Sequence, residues 1–351
     1  MGLFDNVLAS NETLVKNDNA LSYEFLPKIL PFRESEQRHL ATCIKPLFSK
    51  RSGRNLLIHG PPGIGKTAAT KHVLRDLEEE TDEIEIIFIN CWQKNTTYKV
   101  LLEICDIIGY RFIQNKKTTE LFKVIASIIN KKSAVFVFDE IDKAEDLDFL
   151  YYVLEEIHNK AVFLITNYKS WMINLDERIK SRLTPELVEF KQYNKEETKK
   201  ILEERINYAF HQGVLQQEAF TLVYEKTYNA KDIRTGLFIL RESALQAEES
   251  ASKKIQTEHV QKALQKIDEF TIKNKELLEE ETQLIYEVVK QNSGNKIGDL
   301  YKEYQKRGGN SSYKTFQRKI AKLEEAKFIN TKKQTGTGGN TTIVEKKITD
   351  F

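Results

Sequence analysis

Eight residues constrain this chain more than any others: Gly60-Pro61-Pro62-Gly63-Ile64-Gly65-Lys66-Thr67. The apolar run Leu56-Leu57-Ile58 precedes them, and Ala68-Ala69-Thr70-Lys71-His72-Val73-Leu74 follows with helical character. A glycine-rich loop that leaves a strand and opens a helix is the context of a phosphate-binding loop. Glycines let backbone N–H groups turn inward around phosphate oxygens, and the helix N-terminus adds partial positive charge. Gly63, Ile64, Gly65, Lys66, Thr67 and Ala68 would then cradle the phosphates. Lys66 reaches the β- and γ-phosphates, and the Thr67 hydroxyl can ligate Mg²⁺. A chance glycine turn before a helix has to account for the full pattern and both flanks. The implied ligand is a nucleoside triphosphate.

A chain of 351 residues suggests two or three domains, each able to bury its own core. With 40% hydrophobic and 30% charged residues, the composition is that of an ordinary soluble protein. No stretch approaches the roughly 18 apolar residues of a membrane span, and the first residues lack a signal-peptide layout. Cys43, Cys91 and Cys105 are dispersed, without metal-ligand spacing, and are expected as buried free thiols in a reducing cytosol. Net charge is only +2, yet residues 290–351 carry fourteen Lys/Arg against six Asp/Glu, a net +8 that leaves −6 on residues 1–289. That asymmetry points to a C-terminal segment with a polyanionic partner, solvated lysines being the plainer reading.

Residues 1–20 show no apolar period and are expected as a flexible arm. Between Arg54 and Phe190, apolar runs alternate with helical stretches: Leu56–His59, Ile84–Asn90, Ala134–Phe138, Val162–Thr166 and Leu187–Phe190 read as strands. Several are continuous rather than alternating, which suits a parallel sheet covered on both faces. Helices such as Tyr98–Ile108 and Thr119–Asn130 complete a doubly wound α/β layout. After Tyr193 the strand signal vanishes. Glu196–Ala209, Gln217–Thr227, Ile233–Ser250 and Thr257–Ile267 read as helices of an all-helical domain. Leu284, Ile285, Val288 and Val289 mark one further helix, Ile297, Leu300, Tyr301 and Tyr304 another, and Tyr313, Phe316, Ile320 and Leu323 a third. Phe328-Ile329 and Thr342-Ile343-Val344 then flank Gly336-Thr337-Gly338-Gly339 as a hairpin, giving a winged-helix arrangement. The expected divisions are an α/β domain over 21–192, a helical lid over 193–270, a connector over 271–283 and a winged helix over 284–351.

Ala134-Val135-Phe136-Val137-Phe138-Asp139-Glu140 is an apolar strand ending in acids, at the sheet edge where open α/β folds bind ligands. Beside a phosphate loop, Asp139 is expected to hold Mg²⁺ and Glu140 to polarise the attacking water. A helix N-cap pair is the bland alternative. Asp142 is expected as a solvated turn residue. Asn167 ends the next strand, where its amide would lie beside the γ-phosphate and orient the water. Arg178 and Arg182 stand four apart, hence on one helix face. An arginine presented across a subunit boundary can stabilise transferred phosphoryl charge; ordinary surface cations are the alternative. Arg234 opens a helix from which it can reach back over the nucleotide, with a local salt link to Asp232 as the competing reading.

These parts together resemble the AAA+ ATPases, and more narrowly the archaeal replication initiators related to the eukaryotic origin recognition complex and cell-division-control helicase loaders. The narrower likeness rests on Leu30-Pro31-Phe32-Arg33-Glu34-Ser35-Glu36, on Asn90-Cys91-Trp92-Gln93 with Thr97-Tyr98-Lys99-Val100-Leu101, and on Leu175–Leu183 and Tyr193–Phe210. The resemblance implies ATP and ADP as ligands with Mg²⁺. It implies nucleotide contacts at Tyr193 and Arg205 flanking the base, Arg182 as the trans-acting arginine, and Arg234 as the second sensor. It also implies a DNA-contacting insertion over Tyr110–Thr119 with Arg111, Lys116 and Lys117. The sensor stretch reads Lys231-Asp232-Ile233-Arg234-Thr235-Gly236, a departure from the family's GD-x-R-x-A.

The third C-terminal helix offers Lys314, Thr315, Gln317, Arg318 and Lys322 opposite its apolar face, a layout that can enter a major groove. Lys332 and Lys333 would set the wing beside a backbone, and a winged helix used only for protein contact is the alternative. The leading expectation is a cytoplasmic, nucleoid-associated ATPase that binds double-stranded origin DNA, alone or with a paralogue. It would help recruit the replicative minichromosome-maintenance helicase, with slow hydrolysis as a switch. A nucleotide-sensing transcriptional regulator and a processive motor or clamp loader stand as alternatives.

Overall fold

The computed structural model describes residues 13–276, 280–325, 328–336 and 339–346. The chain divides into two compact units. One comprises Val15–His211 and Lys231–Phe238; the other comprises Gln212–Ala230, the described residues from Ile239 onward, and those up to Leu14.

The first unit is organised by a parallel sheet of five strands: β1 (Leu56–His59), β2 (Ile84–Asn90), β3 (Ser133–Asp139), β4 (Lys160–Thr166) and β5 (Glu186–Glu189). Their spatial order is β2-β3-β4-β1-β5, with every pairing parallel. The continuous apolar run of β3 is explained by burial on both faces, since successive side chains point to opposite sides. Phe136 and Phe138 pack with Leu101, Leu121 and Phe149 on one side. Val135 and Val137 pack with Leu40, Val73 and Leu74 on the other. β1 and β2 have the bounds expected from sequence, β5 is shifted by one residue, and β3 and β4 run one or two residues longer because backbone pairing continues past the apolar run, as at Ala134↔Lys160.

Helix Lys195–Ala209 belongs to this unit and begins at Asn194, whose side chain accepts from Glu197 N while Glu197 caps Asn194 N in return. Its far end corrects the expectation of a flexible arm for the described part of residues 1–20. Lys16 N and Asn17 N donate to Ala209 O at 2.7 and 3.0 Å, Val15 bridges Phe210, and Ala20 and Leu21 are buried. Docking through main chain onto a helix end leaves no apolar period to read. Residues 1–12 lie outside the described residues.

The second unit holds helices Gln217–Ala230 and Thr257–Glu276 and, after them, Glu280–Gln291, Ile297–Lys306 and Tyr313–Glu325. The last three pack with a small antiparallel sheet, β6 (Asn295–Lys296), β7 (Ile329–Gly336) and β8 (Gly339–Lys346), in the order β6-β8-β7. Three helices and a three-stranded antiparallel sheet are the elements a winged helix would need; the expected tip residues Thr337 and Gly338 lie outside the described residues. Ile285, Val289, Leu300, Tyr304, Phe316 and Ile320 form its core. β6 was invisible in the sequence because two polar residues carry no period.

Glu281 ties this core's helices together. It accepts from Lys319 Nζ at 2.7 Å, the Tyr304 hydroxyl at 2.5 Å and the Ser311 hydroxyl. Lys319 first, then the two hydroxyls, hold its carboxyl down to about 2. An unfolded glutamate titrates near 4.3, so this stabilisation is complete above about that pH and is lost as pH falls towards about 2. The wild-type C-terminal transition should therefore lose melting temperature across that window more steeply than Glu281→Gln. Parallel curves in a thermal melt series would remove Glu281 from this role.

Candidate functional site

The sheet order makes β3, β4 and β1 neighbours, so their C-terminal ends converge. The loop Gly60–Gly65 leaves β1, Asp139 closes β3, and Asn167 follows β4. Lys66 opens helix Lys66–Glu80 and is almost wholly buried. Its Nζ donates to Gly60 O at 2.7 Å, Pro61 O at 2.8 Å and Asn167 Oδ1 at 2.9 Å. Thr67 Oγ1 donates to Asp139 Oδ2 at 2.8 Å, and Glu140 N donates to Asp139 Oδ1 at 3.0 Å. Lys66, Thr67, Asp139 and Asn167 are thus brought together by direct bonds, and Glu140 adjoins them through the chain.

Electrostatics single out the same group. Burial pushes the Lys66 ammonium down to about 8, against the pull of Asp139. Burial raises the Asp139 carboxyl, and burial followed by Asp139 and Asp142 raises Glu140. In each group burial outweighs the partners nearby, as expected where a polyanion and a cation are to enter. Glu140 also sits at φ +53, ψ +43, a left-handed conformation costly for a residue with a side chain. Asp142 corrects the sequence reading. Its side chain is largely covered and accepts from Thr166 Oγ1 at 2.9 Å, because the strand end folds back over it.

Gly63 and Gly65 have φ of +72 and +90. A Cβ on Gly63 would lie 1.9 Å from Asp232 Oδ1, and one on Gly65 would lie 3.0 Å from the Tyr193 hydroxyl. Tyr193 is therefore at the loop, under the guanidinium of Arg33, whose carbon stands 4.0 Å from its ring centroid. Arg33 is a residue the sequence reading placed only as a motif letter. It is buried, donates to Ile64 O at 3.1 Å and to Lys191 O at 2.6 Å, and pairs with Glu36. Its position in the Leu30–Glu36 box was the available signal.

Other expected residues stand elsewhere. Arg234 takes the local option, a two-pronged pair with Asp232 at 2.7 and 3.0 Å. Arg205 donates to Ala20 O and Phe25 O at 3.1 and 3.0 Å, so its described contacts anchor the N-terminal segment. Arg182 is exposed, pairs with Glu155 and lies over the Tyr151 ring, while Arg178 pairs with Asp176. Ile64 and Ala68 flank the loop's turn into its helix.

Among the expected nucleic-acid contacts, Arg111 and Lys117 are exposed between helices Thr97–Ile107 and Thr118–Ile129, and Lys116 is half-buried over Tyr110. Phe112 beside them is 78% exposed, which no core requirement explains. In helix Tyr313–Glu325, Phe316, Ile320 and Leu323 are buried while Lys314, Gln317, Arg318 and Lys322 face solvent and Thr315 is half-buried. Tyr313 rests against Tyr301 at the rim of that core. Lys332 and Lys333 stand in β7 opposite Ile343 and Thr342.

A parallel sheet of this strand order, with a phosphate loop on β1, acids on β3 and an amide after β4, defines an AAA+ ATPase. Comparison with known proteins agrees. Residues 50–169 match the AAA domain family and residues 199–265 the Cdc6 AAA+ ATPase-type lid domain. An ORC1-type DNA replication protein 1 of Archaeoglobus fulgidus is 31% identical over 76% of this chain and 69% of its own. An ORC1-type DNA replication protein 2 of Methanothermobacter thermautotrophicus is 28% identical over 97% and 93%. The structure of the Aeropyrum pernix ORC1 protein in complex with DNA superposes with a TM-score of 0.70 at 24% identity, over 96% of this chain and 94% of that one. The Aeropyrum pernix ORC2 protein, solved as ADPNP and ADP complexes, gives 0.71 at 16%, over 95% and 94%. The chain belongs to the ORC1-type DNA replication protein family and is a nucleotide-binding ATPase.

A phosphate bound at Lys66 would restore the favoured charge there, so binding above about pH 8 would be accompanied by proton uptake. Affinity for ADP should be level below that pH and weaken above it by at most about tenfold per pH unit. Isothermal titration across this range reads the slope. A flat profile through about pH 9.5 would contradict the assignment.

Proposed function

We propose that this protein is an ATP-dependent replication initiator that recognises double-stranded origin DNA and uses slow hydrolysis as a switch. The observation that carries the reading is the bonded cluster of Lys66, Thr67, Asp139 and Asn167 at neighbouring strand ends, in a chain of the ORC1-type family. Lys66 with the backbone of Gly63–Ala68 would bind the β- and γ-phosphates, and Tyr193 and Arg205 would flank the base. Thr67 Oγ1 and Asp139 Oδ2 are hard oxygen donors 2.8 Å apart, a set suited to Mg²⁺. Bound there, Mg²⁺ would neutralise developing phosphate charge. Glu140 would accept the proton of the attacking water, with Asn167 orienting that water. Arg234 would move from Asp232 to the γ-phosphate.

Arg182, exposed on a helix, would act on the nucleotide of a neighbouring copy or paralogue. Turnover would then be slow in the isolated chain and faster when copies assemble on DNA. The exposed cations of helix Tyr313–Glu325, with Lys332 and Lys333, would hold a duplex mainly through its phosphates. Arg111, Lys116 and Lys117 would add a second grip on the same duplex. The DNA-held form would present a platform to the minichromosome-maintenance helicase. No described helix is long and apolar enough to cross a membrane.

Glu140 is what separates this reading from a regulator that only senses nucleotide, since a sensor has no use for a general base. Glu140→Ala should keep nucleotide affinity and lose roughly a hundredfold or more in turnover; unaltered turnover favours the sensor. Reversing charge at Lys314, Arg318 and Lys332 should weaken binding to every duplex by well over about tenfold at low salt. Unchanged affinity in that titration would take the winged helix out of the DNA site.

A further inference from the structure

His39 and Cys43 stand four residues apart on helix Glu34–Ile44, on one face, and β5 begins beside them with Glu186. His39 Nε2 lies 3.1 Å from Glu186 Oε2 and 3.9 Å from Cys43 Sγ, and the three ligand atoms all fall within 4.8 Å of one another. Nothing in the ATPase reading uses this cluster. Glu186 pairs with Leu56 at the start of β1, so the cluster sits at the sheet edge opposite the strand ends that carry Asp139 and Asn167.

We propose that His39 Nε2, Cys43 Sγ and Glu186 Oε2 form a zinc site, with water as the remaining ligand. Imidazole, thiolate and carboxylate from separate segments are the donor types zinc takes, and three protein ligands plus water is one of its common arrangements. At zinc's usual bond lengths, tetrahedral ligands would lie about 3.6 Å apart for N–S and about 3.4 Å for N–O. The observed 3.9 and 3.1 Å approximate those separations, and Cys43 Sγ and Glu186 Oε2, within 4.8 Å of each other, would close to about 3.6 Å around the ion.

The surroundings fit the assignment. Arg54 Nη1 holds the other Glu186 oxygen, Oε1, at 2.8 Å, which fixes the carboxylate and leaves Oε2 to the metal. Cys43 is fully buried, whereas His39 and Glu186 are partly exposed, which gives a dry sulfur and an open route for the ion and water. Zn–S bond formation breaks the Cys43 S–H bond and releases that proton to solvent; no electron is transferred. The thiolate and carboxylate together balance the dication. Bound zinc would staple helix Glu34–Ile44 to the edge strand, and the residue entering that helix is Arg33, which holds the phosphate loop at Ile64 O.

The test uses full-length protein stripped with a chelator, dialysed, and titrated with Zn²⁺ against a chromophoric competitor, with Co²⁺ as the spectroscopic probe. The expected result is one equivalent bound at micromolar affinity or tighter and a zinc-dependent rise in melting temperature. Co²⁺ should also give a near-ultraviolet thiolate charge-transfer band. Cys43→Ser should abolish the band, and His39→Ala and Glu186→Gln should each weaken zinc by roughly tenfold or more. Because Cys43 is buried, the variants at the half-exposed His39 and Glu186 keep the test decisive if Cys43→Ser misfolds. Absence of stoichiometric binding, or binding unchanged in His39→Ala and Glu186→Gln, overturns the site. Neither result bears on nucleotide or DNA binding.

Discussion

A buried ammonium sets the terms for this structure. Lys66 gives its hydrogen bonds to two loop carbonyls and to the Asn167 amide oxygen, none of them a full charge. Displacement from its ordinary value to about 8 corresponds to roughly 3 kcal/mol of uncompensated burial. The fold bears that cost with an all-parallel sheet whose core is dry on both faces. Incoming phosphate charge would recover it, so the position would work as a receptor and not as an ordinary ion pair. The same logic extends to Asp139, whose carboxyl is raised by burial and shares one proton donor, Thr67 Oγ1, across the gap a cation would enter.

The loop is held in readiness from outside as well as from its own glycines. Arg33 grips Ile64 O from one side, Tyr193 closes over Gly65, and Asp232 abuts Gly63. The contacts explain why glycine is required at two of these positions in terms of what approaches them. A side chain at Gly63 would have to displace a carboxylate, and the backbone there is already left-handed. Arg33 is the economical part of this arrangement. One planar guanidinium serves a loop carbonyl, the Lys191 carbonyl and the Tyr193 ring, a combination that lysine could not reproduce.

How much of this could be read from the letters alone depends on whether a feature has a period or a motif behind it. The inner strands were legible because β1, β3 and β4 are buried on both faces and so appear as apolar runs; the last helix was legible through Phe316, Ile320 and Leu323. The phosphate loop and the acids of β3 were legible because the chemistry dictates both residue type and order. What escaped detection depends on tertiary approach. Arg33 reaches a loop more than thirty positions away, Glu281 gathers donors from three other segments, and Asp142 is covered by a threonine on the next strand. His39, Cys43 and Glu186 escaped too, since a search by cysteine spacing finds nothing when one thiol recruits an imidazole on its own helix and a carboxylate from a distant strand. Residues 13–20 were misread for a further reason: Lys16 and Asn17 dock by main-chain bonds, which leave no trace in side-chain pattern.

In the proposed reading, the pair Asp232 and Arg234 would give a physical route from nucleotide to the rest of the chain. Asp232 places a carboxylate against the loop where phosphates would carry several negative charges. Like charges about 4 Å apart near a protein surface repel by about 4 kcal/mol. The same phosphates would compete for Arg234, whose guanidinium is stabilised in its charged form chiefly by Asp232. Both effects push in one direction: they favour separation of the pair when triphosphate is present and its re-formation when the terminal phosphate has gone. Helix Ile233–Glu249 begins in the unit that carries the phosphate loop and ends in the unit that carries the β6-β8-β7 sheet. A displacement at Asp232 therefore acts on an element that both units share. The replacement of the family's usual glycine and alanine by Lys231 and Gly236 around this pair leaves the acid and the arginine in place, so the charge competition survives the departure in sequence.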